Sequence, residues 1–233
     1  VLSLKNMNCV EQISRTIEQD IRQCRWPPGA KLPGQRALMQ RFGVSRTSLR
    51  EAITRLEVKG LVSTRHGSGC YVNNLFETQF PGPLMGVELD SSNLQLSVME
   101  MRLVLEGEAA KHVCERATAD ELALIDAEYQ AMLQRTGSPL QRAKADLKFH
   151  MLIAESSHNL IVVSLSQLLY TQFFNAIYGT LVRTQPTPEE LMARINEQHE
   201  AIYHAIMARD GAAAKHAAIE HIRYSMCLLK ELV

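Results

Sequence analysis

Four residues in the second half of the chain have the types and spacing of a metal cage. Asp146 and His150 stand four apart in the run AKADLKFHMLIAESSHN, residues 143–159. On a helix that separation puts both on one face. Leu147, Phe149, Met151, Leu152, Ile153 and Ala154 around them make a helix buried over most of its circumference. Alone, the pair reads as a local ion pair. His199 and His221 add to it. In the segment from residue 188, Leu191, Ile195, Ile202 and Ile206 share one stripe; His199 falls at its edge and His204 on the far side. In the last segment Ala218, Ile222, Ser225, Leu229 and Leu232 mark the inner face, with His221 in it and His216 opposite. Asp210-Gly211 is the turn between them. His199 precedes Asp210 by 11 residues, and His221 follows it by 11. In an antiparallel helix pair equal distances give equal height, about 16 Å from the turn. One carboxylate and three imidazoles suit a divalent first-row metal, zinc first, with nickel or manganese as alternatives. The competing reading is of hydrogen-bonded core histidines that bind nothing.

A second constellation lies far upstream. In GQRALMQRFGVSRTSLREAITRLEVKGLV a short helix, about 35–42, ends at Gly43, which suits a left-handed cap. Ser45 can then cap a second helix, whose apolar stripe is Leu49, Ala52, Ile53 and Leu56. Arg46, Thr47, Ser48 and Arg50 crowd its first turn. That is the pattern of a helix-turn-helix. Arginine grips guanine through two hydrogen bonds, and hydroxyls read base edges or bind phosphate. In GLVSTRHGSGCYV two short strands flank a His66-Gly67 turn, forming a wing with Arg65 and His66 at its tip. A three-helix module with a solvated basic face is the plain alternative.

The elements that must position these residues follow from composition and punctuation. Net charge is zero, yet residues 1–74 hold 12 Lys/Arg against 5 Asp/Glu, and residues 75–233 hold 13 against 20. A basic first third on an acidic remainder suggests a nucleic-acid module joined to a different domain. No apolar run approaches the roughly 20 residues of a membrane span, and the start of the sequence does not read as a signal peptide. Five scattered cysteines, with no C-x-x-C pair, suit a reduced cytoplasmic protein. Val10, Ile13, Ile17 and Ile21 predict a first helix over about 8–24, stopped by WPPGAKLPG. Residues 74–90, with two prolines and two glycines, read as a linker. Beyond it the pattern predicts helices at 91–116, 118–135, 138–157, 159–183, 188–209 and 211–232. Capping boxes stand at Thr118–Glu121 and Thr187–Glu190. The fold class is therefore mainly α: a winged helix-turn-helix (1–73), the linker (74–90) and an all-α bundle of about six helices (91–233).

Residues 10–73 closely resemble the winged helix-turn-helix of the GntR family of bacterial transcription regulators, on the run LPGQRALMQRFGVSRTSLREAITRLEVKGLVSTRHGSGCYV. The resemblance implies DNA contacts by Arg36, Arg46, Thr47, Ser48 and Arg50, and by His66 and Gly67 at the wing tip. Gln35 departs from the family, which usually has Glu before the arginine. Residues 91–232 resemble the all-helical FCD effector domain of the FadR subfamily, on VMEMRLVLEGEAA, ADLKFHMLIAESSHN and HEAIYHAIMARDGAAAKHAAIEHI. Metal-binding members carry ligands matching Asp146, His150, His199 and His221, and an arginine matching Arg102 that pairs with an effector carboxylate. Within the group, regulators of glycolate, lactate and pyruvate metabolism are the most similar. A metal with four protein ligands keeps positions that a small 2-hydroxy or 2-oxo acid can fill. Asn175 on the neighbouring helix is a candidate for a further polar contact. The expected function is a metabolite-responsive regulator, a homodimer on a pseudo-palindromic operator. Two alternatives are a metal-dependent enzyme fused to a DNA-binding domain and a structural DNA-binding protein. Against the enzyme, no further inward carboxylate has the spacing of a general base.

Overall fold

The structure is a computed structural model and describes residues 9–76, 92–134, 138–183 and 188–230. The chain forms two compact units, residues 1–81 and 82–233. From residue 77 on, the segment read as a linker lies outside the described residues, as do the capping box at 187–190 and the side chains of Leu191 and Leu232.

The first unit holds α1 (Cys9–Arg22), α2 (Gln35–Phe42), α3 (Arg46–Val58), β1 (Val62–Arg65) and β2 (Gly69–Val72). Val10, Ile13, Ile17 and Ile21, one face of α1, are all buried against Leu38, Leu49, Leu56, Val62 and Val72. Burial of each such side chain favours the fold by about 1.5–3 kcal/mol. α2 stops at Gly43, whose φ of +63° is left-handed. α3 then starts at once, because the Ser45 hydroxyl accepts the Ser48 N–H at 3.2 Å. The strands pair antiparallel from Val62–Val72 to Arg65–Gly69. Their tip closes where the Ser68 N–H donates to the Arg65 carbonyl at 3.0 Å, with Gly67 at φ +71°. The buried Asp20 carboxylate takes Arg25 at 2.5 Å and Arg41 at 2.8 Å, which ties the end of α1 to α2.

The second unit comprises α4 (Ser92–Arg116), α5 (Ala119–Gln134), α6 (Pro139–Ser156), α7 (Leu160–Leu168), α8 (Tyr170–Arg183), α9 (Pro188–Met207) and α10 (Gly211–Lys230). The single helix expected over 159–183 is instead two, broken at Leu169 and bent by 61°. The described residues therefore hold seven helices in this unit. Neither proline nor glycine marks the break. Val162 and Val163 before it, and Phe173, Ala176 and Ile177 after it, are all buried. The bend wraps this apolar face around α4 and α6, where a straight helix of about 36 Å would run past them.

α4, α9 and α10 form the frame of the site. α4 and α10 approach so closely that a Cβ on Gly107 would lie 2.9 Å from Ile219 Cγ1. The turn between α9 and α10 locks onto the end of α4. Arg209, at φ +55°, donates to the Cys114 and Ala117 carbonyls at 3.1 and 2.8 Å, and so satisfies carbonyls that the helix end leaves open. Asp210 accepts the Ala213 N–H at 2.9 Å and starts α10. Thr118 and Glu121 exchange capping hydrogen bonds at 2.8 and 3.2 Å, fixing the start of α5. Among the described residues no single helix is long and apolar enough to cross a membrane.

Candidate metal centre and nucleic-acid interface

α6, α9 and α10 bring Asp146, His150, His199 and His221 together. One ligand atom from each lies within 4.8 Å of all the others. The three histidines are buried, while His204 and His216 are exposed. The His199 and His221 rings lie 4.4 Å apart, at one height along the two helices. The ring of Phe149 sets its edge against His150 and His199 at 5.6 and 5.7 Å and closes the apolar side.

The electrostatics favour a cation. Burial alone would raise the Asp146 carboxyl, but the charge of His150, the hydrogen bond and charge of His199, and then His221, hold it far below the usual range. Burial, then the charges of His199 and His150, push His221 well below its ordinary 6.5, so its ring is neutral and keeps a lone pair. Asp146 Oδ1 lies 3.0 Å from His199 Nε2, but Asp146 Oδ2 is buried with no hydrogen-bond partner. A buried acceptor left in this state costs about 1–3 kcal/mol. His150 Nε2 and His199 Nε2 lie within hydrogen-bond distance at 3.2 Å, and a cation would take lone pairs from all four residues, the orphaned oxygen included. The donor set and the orphaned oxygen fit a divalent metal.

Two partners of the site were not found from the sequence. Glu106 on α4 accepts from His150 Nδ1 at 2.8 Å. Gln198, beside His199 on α9, meets His221 Nδ1 at 3.1 Å. The signal for Glu106 was present, since it stands four residues after Arg102 on the same face of the helix. Gln198 had none. Arg102, 1% exposed, donates from Nε to Glu106 at 2.6 Å, while Nη1 meets the Met99 sulfur at 3.7 Å. Burial raises the Glu106 carboxyl, but Arg102 and then His150 outweigh it and bring it to about 2.

A small cavity lies beside the ligands. Arg102, Asp146, His221 and Ser225 give its polar wall; Met99, Ile177, Leu181 and Ile195 give the apolar one. Its volume is about 20 Å³, room for roughly one water molecule. Asn175, half-buried on α8, is not among its lining residues; α8 contributes Ile177 and Leu181 instead.

In the other unit, Arg36 opens α2, and Arg46, Thr47, Ser48 and Arg50 fill the first turn and a half of α3. The three arginines and Thr47 are exposed, and Ser48 is half-buried. Arg15, Arg22, Arg25, Arg41 and Arg55 each pair with a carboxylate. Among the described residues no ion pair engages Arg36, Arg46 or Arg50. Their charge is left for an external anion, and the start of α3 adds its free N–H groups. His66 and Gly67 are exposed at the wing tip. Beside them Arg65 stacks on Tyr71 at 4.6 Å, and Ser68 hydrogen-bonds the Tyr71 hydroxyl at 2.7 Å.

Two family models match the chain, one in each unit. Residues 9–72 match the family described as bacterial regulatory proteins, gntR family, and residues 97–224 match the FCD domain. The Glc operon transcriptional activator of Escherichia coli K12 is 29% identical over 91% of this chain and 85% of its own length. The galactonate operon transcriptional repressor of the same organism is 27% identical over 97% and 99%. A solved structure described as Streptococcus agalactiae GntR is 26% identical, covers 94% of this chain and 99% of its own, and superposes with a TM-score of 0.54.

Proposed function

The chain belongs to the gntR family of bacterial regulatory proteins and carries an FCD domain; from that premise we propose that it senses a small organic acid at a divalent metal and changes its grip on operator DNA in response. It is a transcription regulator, not an enzyme, and its relatives include regulators of the Glc and galactonate operons. The finer reading is a cytoplasmic homodimer on a pseudo-palindromic operator. Two copies of α3 and the wing would each read a half-site, Arg46, Thr47, Ser48 and Arg50 in the major groove, with Arg36, His66 and Gly67 at the flanks.

The observation that carries the sensing half is the convergence of Asp146, His150, His199 and His221 beside Arg102. Zinc is the metal we propose, because three imidazoles and a carboxylate suit it best. The metal would supply Lewis acidity and open positions for an acid's carboxylate and its 2-hydroxyl or 2-oxo oxygen. Arg102 Nη1, which among the described residues meets the Met99 sulfur, has donors for negative charge on the acid. The apolar wall of Met99, Ile177, Leu181 and Ile195 suits a short carbon chain. A cavity of about 20 Å³ is smaller than such an acid, so binding would displace the side chains that line it. That movement is what a sensor needs.

The test takes the two halves separately. Arg50→Ala should lose specific operator binding while its thermal midpoint stays within a degree or two; unchanged affinity at matched salt would refute the DNA interface. His199→Ala with His221→Ala should strip the metal as measured by elemental analysis. Full occupancy in that double variant removes the metal centre from consideration.

A further inference from the structure

We infer that Glu106 is the positioning residue of the metal centre: its carboxylate holds His150 in the tautomer that binds metal, and Arg102 holds the carboxylate in place. The inference rests on the metal reading above and adds a residue outside the ligand set. α4 carries no ligand. Its contribution is Glu106, 5% exposed, with one oxygen 2.6 Å from Arg102 Nε and the other 2.8 Å from His150 Nδ1. A carboxylate can only accept, so Nδ1 must donate. The neutral ring then has its lone pair on Nε2, the nitrogen that faces Asp146 and His199. The opposite tautomer would set a ring nitrogen's lone pair against the carboxylate and put a proton where the metal should be. A carboxylate on the far nitrogen also makes the imidazole a better electron donor.

Arg102 completes the arrangement. A buried carboxylate with one histidine partner would be free to rotate about its last bond. Arg102 grips it through Nε and, at 3.4 Å, through Nη2, and the guanidinium itself packs 5.6 Å over Phe173. The chain Phe173, Arg102, Glu106, His150 is therefore continuous from α8 through α4 to α6. His221 receives the parallel service from a neutral amide, Gln198, so His150 is the ligand whose donor strength depends on a charge.

The experiment uses the full-length protein, stripped of metal by a chelator and titrated with zinc against a chromophoric competitor. Glu106→Gln keeps the shape and an accepting oxygen but removes the charge. Zinc affinity should fall by about 10- to 100-fold, and the visible spectrum of the cobalt form should shift as the His150 bond weakens. Arg102→Met with Glu106→Gln removes both charges at once and leaves no stranded guanidinium. It should show the same loss, and it carries the test where the single variant fails to fold. Zinc affinity in Glu106→Gln equal to wild type overturns the inference. So does full recovery of affinity in the double variant, because the loss would then come from an unpaired Arg102. Wild-type protein that takes up no zinc overturns the metal reading itself, and this inference with it.

Discussion

Gly107→Ala tests the frame that holds the site. The added Cβ would sit 2.9 Å from Ile219 Cγ1 and 3.2 Å from Ile219 Cδ1. An ordinary carbon–carbon contact is about 3.5–4.0 Å, so α4 and α10 must part by roughly half an ångström or more, or Ile219 must leave its rotamer. Overpacking of this kind costs about 1–3 kcal/mol. Against it stands the gain of alanine over glycine inside a helix, about 1 kcal/mol. The clash wins, with a net loss of about 1 kcal/mol. For a unit of residues 82–233 that is a thermal midpoint lower by about 2–4 °C, read by circular dichroism. The structure also says where the loss comes from. With Ile219→Ala already in place the obstructing atoms are gone, so Gly107→Ala should turn stabilising by up to about 1 kcal/mol. The two changes together should show a coupling of about 1–3 kcal/mol. Zinc binding should weaken as well, since Glu106 is adjacent to Gly107 while His221 stands two residues beyond Ile219. A Gly107→Ala protein more stable than wild type would mean that helix propensity alone decides, and that α4 and α10 are not in close contact.

Two further perturbations address other parts of the molecule. Burial raises the Glu155 carboxyl above its usual 4.5, only partly offset by a hydrogen bond from Gln167; the folded protein therefore holds its proton more tightly than the unfolded chain, and stability falls as pH rises through that range. Glu155→Gln should raise the thermal midpoint at pH 7 and make no difference below about pH 4.5; equal midpoints at pH 7 would show that the carboxylate is solvated. Ser45→Ala removes the acceptor for the Ser48 N–H and should destabilise the first unit by about 1 kcal/mol in urea unfolding, with operator affinity falling as the first turn of α3 frays; a change within a few tenths would show that the cap contributes nothing.

Local chemistry made the punctuation of this chain legible. Gly43, Ser45, Thr118 and Glu121 act where they stand, through bonds to residues one to four positions away, so their effect can be read from a window of sequence. His199 and His221 were also legible, since two helices joined by a tight turn convert sequence distance into height. What failed to show were features set by packing. The break at Leu169 has no breaker residue; it follows from the curvature of the core that α7 and α8 cover. Glu106 lies on a helix remote in sequence from α6, and nothing in residues 143–159 tells which nitrogen of His150 needs a partner. The resemblance pairs Arg102 with an effector carboxylate; in the structure the carboxylate four residues on takes one edge of it.

That division of Arg102 bears on how sensing would work. The four ligands belong to α6, α9 and α10, so a metal alone binds those three helices to one another. Among the described residues α4 reaches the ligands through Glu106, and it is the helix that follows residues 77–91, by which the chain leaves the DNA-binding unit. An acid bound to the metal with its charge on Arg102 would act directly on α4, against Glu106 and against the tight contact at Gly107. A ligand moves an equilibrium only by the difference in its affinity for the two states. Because Glu106 on α4 holds His150, a bound metal would favour the arrangement of α4 in which that contact is made. An acid would add to this, because its two anchors would lie on α4 and on the helices packed against it. Close-packed interfaces such as that between Gly107 and Ile219 do not deform gradually; they repack into another arrangement or stay as they are. On this reasoning metal and acid would act on the same helix, and operator affinity should respond to the acid only when metal is bound.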